Sequence, residues 1–227
     1  MDQVLHEKTL AASSAVSQIT SGMVIGLGSG STAEIAVKLI AKKIKSGAKI
    51  TGVPSSISTK KLAESLNIPM ITDTVPERID ITIDGADEFD ENLNLIKGGG
   101  GALLHEKIVA SASDKLIIIV DSRKTARPLG SSFHLPVEVI PYAHVVVAKK
   151  IKELAATPKL RMVKSKPFVS DEGNYILDCD FGTISDVQHL ANALSKIAGV
   201  VEHGLFIAMT ETIIIGSEET VRKLHRK

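Results

Sequence analysis

"MVIGLGSGSTAEIAVKLIAKKI", residues 23–44, decides the class of fold. Its first six residues are a short apolar run ending in glycine, as a buried strand would be. From Ser31 onward, Ile35, Leu39 and Ile40 recur on one side of an amphipathic helix. Strand, glycine loop and helix make the opening half of a βαβ unit, and the following sequence repeats the alternation. "KITGV" (49–53) reads as a strand and "STKKLAESL" (58–66) as a helix, and "IPMIT" (68–72), "IDITID" (79–84) and "KLIIIVD" (115–121) continue the strand series. A helix over 2–20 precedes them, with Leu5, Ala12, Ala15, Val16 and Ile19 at helical spacing. Ile- and Val-rich strands separated by helices predict an α/β fold, a mostly parallel Rossmann-like sheet covered on both faces.

After about residue 131 the pattern changes. A strand (134–140), a helix (142–155), strands near 159–163 and 174–180, a helix (186–197) and a strand near 200–203 follow. That order is βαββαβ, the ferredoxin-like arrangement. "LFIAMTETIIIGSEETVRKL" (205–224) then returns to apolar strands and a closing helix. The expectation is a larger α/β domain over 1–131 plus 205–227, with a smaller ferredoxin-like α+β domain, 132–204, inserted into it.

Composition narrows the function classes. With 227 residues, 44% hydrophobic and 23% charged, the chain has the profile of a globular protein with a substantial core. Aromatics make up 3% and Trp is absent, so stacking platforms for single-stranded nucleic acid are scarce. A net charge of +1 argues against general attraction to nucleic acid or to an acidic membrane. One cysteine, Cys179, allows no intrachain disulfide and no multi-cysteine metal site, and its apolar strand makes it a core residue. The N-terminal segment lacks the apolar core of a signal peptide, and no apolar run approaches a membrane span, so a cytoplasmic protein is expected.

Ligands of open α/β sheets bind beyond the carboxyl ends of the strands, and three loops there stand out. In "GLGSGST" (26–32), amides at the start of a helix attract anions, and Ser29, Gly30, Ser31 and Thr32 offer donors to phosphate or carboxylate oxygens. The dinucleotide fingerprint fails, because Thr32 stands at its last glycine, and the Walker lysine is missing. A capped glycine turn is the plainer reading. In "DGADEFDEN" (84–92), Asp84 and Asp87 flank Gly85 and Ala86 and could converge to exchange protons with sugar hydroxyls. A metal is the weaker option without a neighbouring His or Cys, and an acidic surface turn is the alternative.

The third loop is "IKGGGGALLHEK" (96–107). A run of glycines is entropically costly, so Gly98, Gly99 and Gly100 suggest amides facing an oxyanion, beside the positive charge of Lys97. Glu106 falls between the directions of Val109 and Ala110 on a helix apolar on most sides. Desolvation there would raise its pKa and suit it to proton transfer near neutral pH; a solvated helix glutamate is the alternative. "VDSRKTARPLG" (120–130) adds Arg123, Lys124 and Arg127 as possible phosphate contacts. Lys8 is unremarkable from spacing, and the histidines show no ligand pattern.

Taken together, "GLGSGSTA", "IDGADE", "IKGGGGALLHEKIVA", "DSRK" and "LPVEVIP" resemble the type A ribose-5-phosphate isomerases in order and spacing, over nearly the whole chain. The resemblance implies interconversion of ribose 5-phosphate and ribulose 5-phosphate in the pentose phosphate pathway, with no redox cofactor and no essential metal. It implies Glu106 as the base, with Asp84 and Asp87 assisting proton movement at the sugar oxygens. Lys97, Ser29 to Thr32, Lys8 and Lys124 would contact substrate, the last two favoured for its phosphate. Two positions depart from the family's frequent residues: Ser29 stands for Thr, and His105 for Arg before the glutamate. A homodimer or higher homo-oligomer is implied too. The rival is a non-catalytic sugar-phosphate sensor of related fold, which usually comes with a DNA-binding module; no helix-turn-helix extension or basic stripe is evident here.

Overall fold

The structure, a computed structural model, describes residues 3–226. The chain forms two units, one from Met1–Ala86, His105–Thr125 and Ala208–Lys227, the other from Asp87–Leu104 and Ala126–Ile207. The first begins with α1 (Gln3–Val16), β1 (Val24–Leu27), α2 (Ala33–Lys45), β2 (Thr51–Pro54), α3 (Ile57–Ser65) and β3 (Ile81–Asp84). The second opens with β4 (Glu88–Phe89) and β5 (Leu95–Ile96). Helix α4 (Leu103–Ser111) then leads back to the first unit and β6 (Leu116–Asp121). Next come β7 (Leu135–Val139), α5 (His144–Glu153), β8 (Thr157–Leu160), β9 (Met162–Val163), β10 (Lys166–Pro167), β11 (Tyr175–Asp180), α6 (Val187–Ser195), β12 (Val200–His203) and β13 (Leu205–Phe206). Strands β14 (Thr210–Ser217) and β15 (Thr220–His225) complete the first unit.

The first unit is a six-stranded sheet in the order β15-β14-β6-β3-β1-β2, parallel except for β15. The alternation of the strands sends Ile25, Leu27, Ile81, Ile83, Ile117, Ile119 and Ile214 into one core. Ala11, Ala12 and Ala15 of α1 and Ala36, Val37 and Ile40 of α2 complete it. Each of these isoleucines contributes about 1.5–3 kcal/mol on burial, and the alanines let α1 lie close to the sheet. A smaller cluster of Val53, Ile79 and Val109 also forms in this unit.

Two expected elements differ. Thr220–Leu224, read as part of a closing helix, is strand: Thr212–Ser217 pairs antiparallel with Thr220–His225. With β6 on one edge of β14, the N–H and C=O groups of its other edge need partners. A short, mostly exposed segment gains more by supplying them than by forming an isolated helical turn. "IPMIT" is not a sheet strand either and makes one bridge, Met70 to Gly52, flanked by bonds at Pro69 O and Ile71 N. Pro69 has no N–H to extend a ladder.

The second unit holds the expected ferredoxin-like element, an antiparallel sheet in the order β12-β7-β11-β8. Val137, Val139, Leu177 and Cys179 pack with Val147 and Ile151 of α5 and Leu190, Ala191 and Leu194 of α6. Its bounds differ from the expected 132–204, since 87–104 joins 126–207. The cause is a three-stranded sheet, β13-β5-β4, pairing Leu205 with Ile96 and Phe206 with Leu95. Glu88 adds to this by accepting bonds from Gly130 N (2.6 Å), Ser132 N (2.9 Å) and the hydroxyls of Ser131 (3.0 Å) and Ser132 (2.8 Å).

Candidate active site

In the first unit, parallel pairing ends β1 and β3 side by side, and Gly28 N donates to Ile83 O (3.0 Å). A Cβ on Gly28 would stand 2.5 Å from both Cα and Cγ of Asp84. The bare backbone at this glycine therefore makes room for the aspartate. Asp84 is 1% exposed, and its Oδ1 accepts from Ser29 N (2.9 Å) and Gly85 N (2.7 Å). The carboxylate is thus fixed in direction by two amides.

Ser29 also differs from expectation at its hydroxyl. Its Oγ donates to Ser56 Oγ (2.9 Å) and lies 2.9 Å from Ser55 Oγ and 3.2 Å from Thr59 Oγ1. Those three residues are buried, and Ser56 caps α3 by accepting from Thr59 N. The Ser29 side chain thus ties its loop to the start of α3, and its amide serves Asp84. Gly30 and Ser31 are exposed and Thr32 half-buried before α2. Lys8 Nζ, from α1, donates to Ser31 Oγ (2.8 Å). This contact brings a lysine 23 residues distant in sequence to the anion-suited loop.

The basic segment begins where β6 ends. Lys124 N donates to Asp121 O (3.0 Å), which closes a turn. Arg123 grips both oxygens of Asp121, at 2.8 and 3.0 Å. Burial pushes the Asp121 carboxyl up, but the bonds and charge of Arg123 outweigh it and hold the group below its ordinary value. Arg123 is therefore engaged with its own strand end. Arg127 lies in the second unit, where its N donates to Phe89 O (3.1 Å).

Glu7 is a residue that spacing does not single out. It is 2% exposed, and its Oε2 accepts from Ser122 N (3.1 Å) and Ser122 Oγ (2.7 Å). Its other oxygen accepts from Glu218 N (3.4 Å) and Gln3 Nε2 (3.3 Å). The Ser122 hydroxyl, foremost among these donors, holds the Glu7 carboxyl below its ordinary value. Glu7 thus joins the helix of Lys8 to the loop of Lys124. Glu106, on α4, is 6% exposed with Oε2 itself shielded from water. Leu103, Val109 and Ala110 on the same helix are buried, as its angular position implied.

In the second unit, the four glycines serve different ends. Gly98 and Gly101 have φ of +95° and +83°, which side chains rarely adopt, and Gly101 N donates to Gly98 O (2.9 Å) across the turn. Gly99 N donates to Asp87 Oδ2 (2.8 Å), and a Cβ there would stand 2.6 Å from Asp87 Oδ1. Gly100 is exposed, with nothing near the place of a Cβ. Lys97 is 3% exposed; its N donates to Gly204 O (2.9 Å), and Nζ stands 5.5 Å from the centre of the Phe206 ring. A buried ammonium over an aromatic face gains a cation–π attraction. Gly85 and Ala86, half-buried, connect Asp84 of one unit to Asp87 of the other along the chain.

Arg161 is the second residue that spacing missed, because more than 60 residues separate it from the glycine carbonyls it binds. Its Nη1 donates to Gly98 O (3.1 Å) and Gly99 O (3.0 Å). Cys179 is buried, and burial pushes its thiol up, in keeping with a core residue. Among the described residues, no three His, Cys, Asp or Glu side chains gather as a metal set, and no helix is long and apolar enough to cross a membrane.

Known proteins resemble this chain in both sequence and fold. The family model described as ribose 5-phosphate isomerase A (phosphoriboisomerase A) matches residues 51–220. A ribose-5-phosphate isomerase A of Desulfatibacillum aliphaticivorans is 48% identical over 220 residues, 96% of each chain. Among solved structures, that of ribose 5-phosphate isomerase A from Methanocaldococcus jannaschii gives a TM-score of 0.92 at 37% identity, covering 97% of this chain and 98% of its own. A D-ribose-5-phosphate isomerase in complex with phospho-erythronic acid gives 0.95 at 40% identity, covering 98% and 99%. Matched over nearly its whole length in both sequence and fold, the chain belongs to the ribose 5-phosphate isomerase A family.

Proposed function

We propose that Glu106, Lys97 and the two aspartates carry out the family's reaction in this chain. The chain is an aldose–ketose isomerase, interconverting D-ribose 5-phosphate and D-ribulose 5-phosphate. One proton moves between C1 and C2 through an enediolate. The step needs a base for the carbon proton, donors for the developing oxyanion and an anchor for the phosphate. Glu106 takes the proton from C2 and returns it to C1. Lys97 and the amides of Gly98 and Gly100 meet the oxyanion, where preformed donors act most strongly, while the Gly99 amide is engaged by Asp87. Asp84 and Asp87, each oriented by backbone amides, exchange protons with the sugar hydroxyls and assist ring opening.

The observation that carries this reading is the burial of Glu106. A glutamate 6% exposed on a helix that directly follows the glycine turn suits proton transfer, whereas a sensor needs no such group. Glu106→Gln keeps the shape and removes the base. In a coupled assay with ribose 5-phosphate it should lower kcat by about 10²–10⁴-fold, the usual worth of general acid–base catalysis, with thermal unfolding unchanged. Near-normal turnover would overturn the assignment.

The phosphate falls to Lys8, Ser31, Thr32 and Lys124, supported by the Lys8–Ser31 bond and the amides that open α2. We further infer work in the pentose phosphate pathway, in the cytoplasm, as a homodimer or higher homo-oligomer. Exposed Ile140, Tyr142, Val145 and Val146 in the second unit support association, and light scattering in solution tests it.

A further inference from the structure

We propose that Arg161 is a positioning residue for catalysis, aiming the amides of the glycine turn by holding its carbonyls from behind. The inference lies within the second unit and rests on the reading of that turn as the oxyanion site. Arg161 N donates to Ile176 O (2.8 Å), and Arg161 O accepts from Phe168 N (2.9 Å), so its backbone is held without help from the side chain. The guanidinium, 14% exposed, is gripped by Asp178 through Nε (2.9 Å) and Nη2 (2.5 Å). Phe168 lies with its ring centre 5.7 Å from Cζ, and a Cβ on Gly101 would strike that ring. Carboxylate and ring together leave Nη1 facing Gly98 O and Gly99 O.

A trans peptide holds its C=O and N–H on opposite sides of one plane. Fixing Gly98 O therefore aims the Gly99 N–H, and that amide is the one found on Asp87 Oδ2 at 2.8 Å. Fixing Gly99 O aims the Gly100 N–H away from the guanidinium, at an exposed glycine with open space around it. One planar cation thus orients both an aspartate that handles sugar hydroxyls and an amide suited to the oxyanion. Lysine cannot substitute, because a single ammonium lacks the fork needed to serve Asp178 and two carbonyls together.

The test compares the full chain with Arg161→Ala and Arg161→Lys, measuring kcat, KM for ribose 5-phosphate, inhibition by phospho-erythronic acid and thermal unfolding. The planar carboxylate of that acid stands in for the enediolate. A misplacement of about 1 Å costs about 10²-fold, so kcat should fall by that order while KM changes less than about threefold. Affinity for the acid should fall in step with kcat, as expected for contacts realised in the transition state. Millimolar guanidinium should restore part of the Arg161→Ala turnover and none of that of Glu106→Gln. Unchanged kcat in both variants, a rise in KM alone, or loss of folding in both overturns the proposal. Full activity of Glu106→Gln in the same assay would instead overturn the reading of the active site.

Discussion

Gly28→Ala adds one methyl group where the structure has no room for it. The new Cβ would lie 2.5 Å from the Cα and Cγ of Asp84, against about 3.5–4.0 Å for carbon atoms in comfortable contact. The ends of β1 and β3 must therefore separate by about 1 Å, or the carboxylate must turn off its two amides. Both are resisted by the Gly28 N–Ile83 O bond and by the amides of Ser29 and Gly85. Overpacking of this kind costs about 1–3 kcal/mol of stability. A 1 Å displacement of a group acting on substrate costs about 10²-fold in rate, equivalent to about 2.7 kcal/mol. Urea unfolding and the coupled assay read the two effects separately. Gly22→Ala is the control: φ there is +98° with nothing within 4 Å, so that change strains the backbone without crowding Asp84. Gly22→Ala should lose stability and keep its turnover, whereas Gly28→Ala should lose both. Wild-type kcat/KM in Gly28→Ala would refute the argument that this glycine exists to seat Asp84.

Lys124→Ala should raise KM for ribose 5-phosphate at least tenfold and leave weak turnover of unphosphorylated ribose unaltered; an equal effect on both substrates would exclude a phosphate role. Glu7→Gln should destabilise the first unit in a pH-dependent way. The Glu7 carboxyl is held below its ordinary value of 4.5, so its contribution is present above that pH and is lost as pH falls through the lowered folded value. The gap in Tm between wild type and Glu7→Gln should therefore close on acidification, and a gap independent of pH would contradict this. Cys179 should resist iodoacetamide in the native state and react on denaturation, because burial keeps its thiol protonated and covered. Rapid labelling of folded protein would show that the strand carrying it opens.

Much of this protein can be read without coordinates because its signals are local. The alternation that makes "KLIIIVD" a strand and the helical spacing after Ser31 reside in a few consecutive residues, and they determine the parallel sheet and the βαββαβ element. Glu106 is legible only in part: its angle on a helix places it near apolar side chains, but spacing left a solvated glutamate open, and the structure buries it. What escaped depends on partners distant in sequence. Thr220–Leu224 has a composition compatible with a helix, and only the open edge of β14 makes it a strand. Segment 87–104 joins the second unit because Leu95 and Ile96 find Phe206 and Leu205 more than a hundred residues later. Glycine marks a bare position but not its neighbour: Gly28 makes way for Asp84, Gly99 for Asp87 and Gly101 for Phe168. Glu7 and Arg161 look like ordinary surface charges until folding brings Ser122 to one and two glycine carbonyls to the other. Sequence alone determined the elements and the chemical groups available, because those follow from short-range periodicity and residue type. Tertiary structure decided which groups orient which, because a hydrogen bond depends on distance in space and is indifferent to separation along the chain.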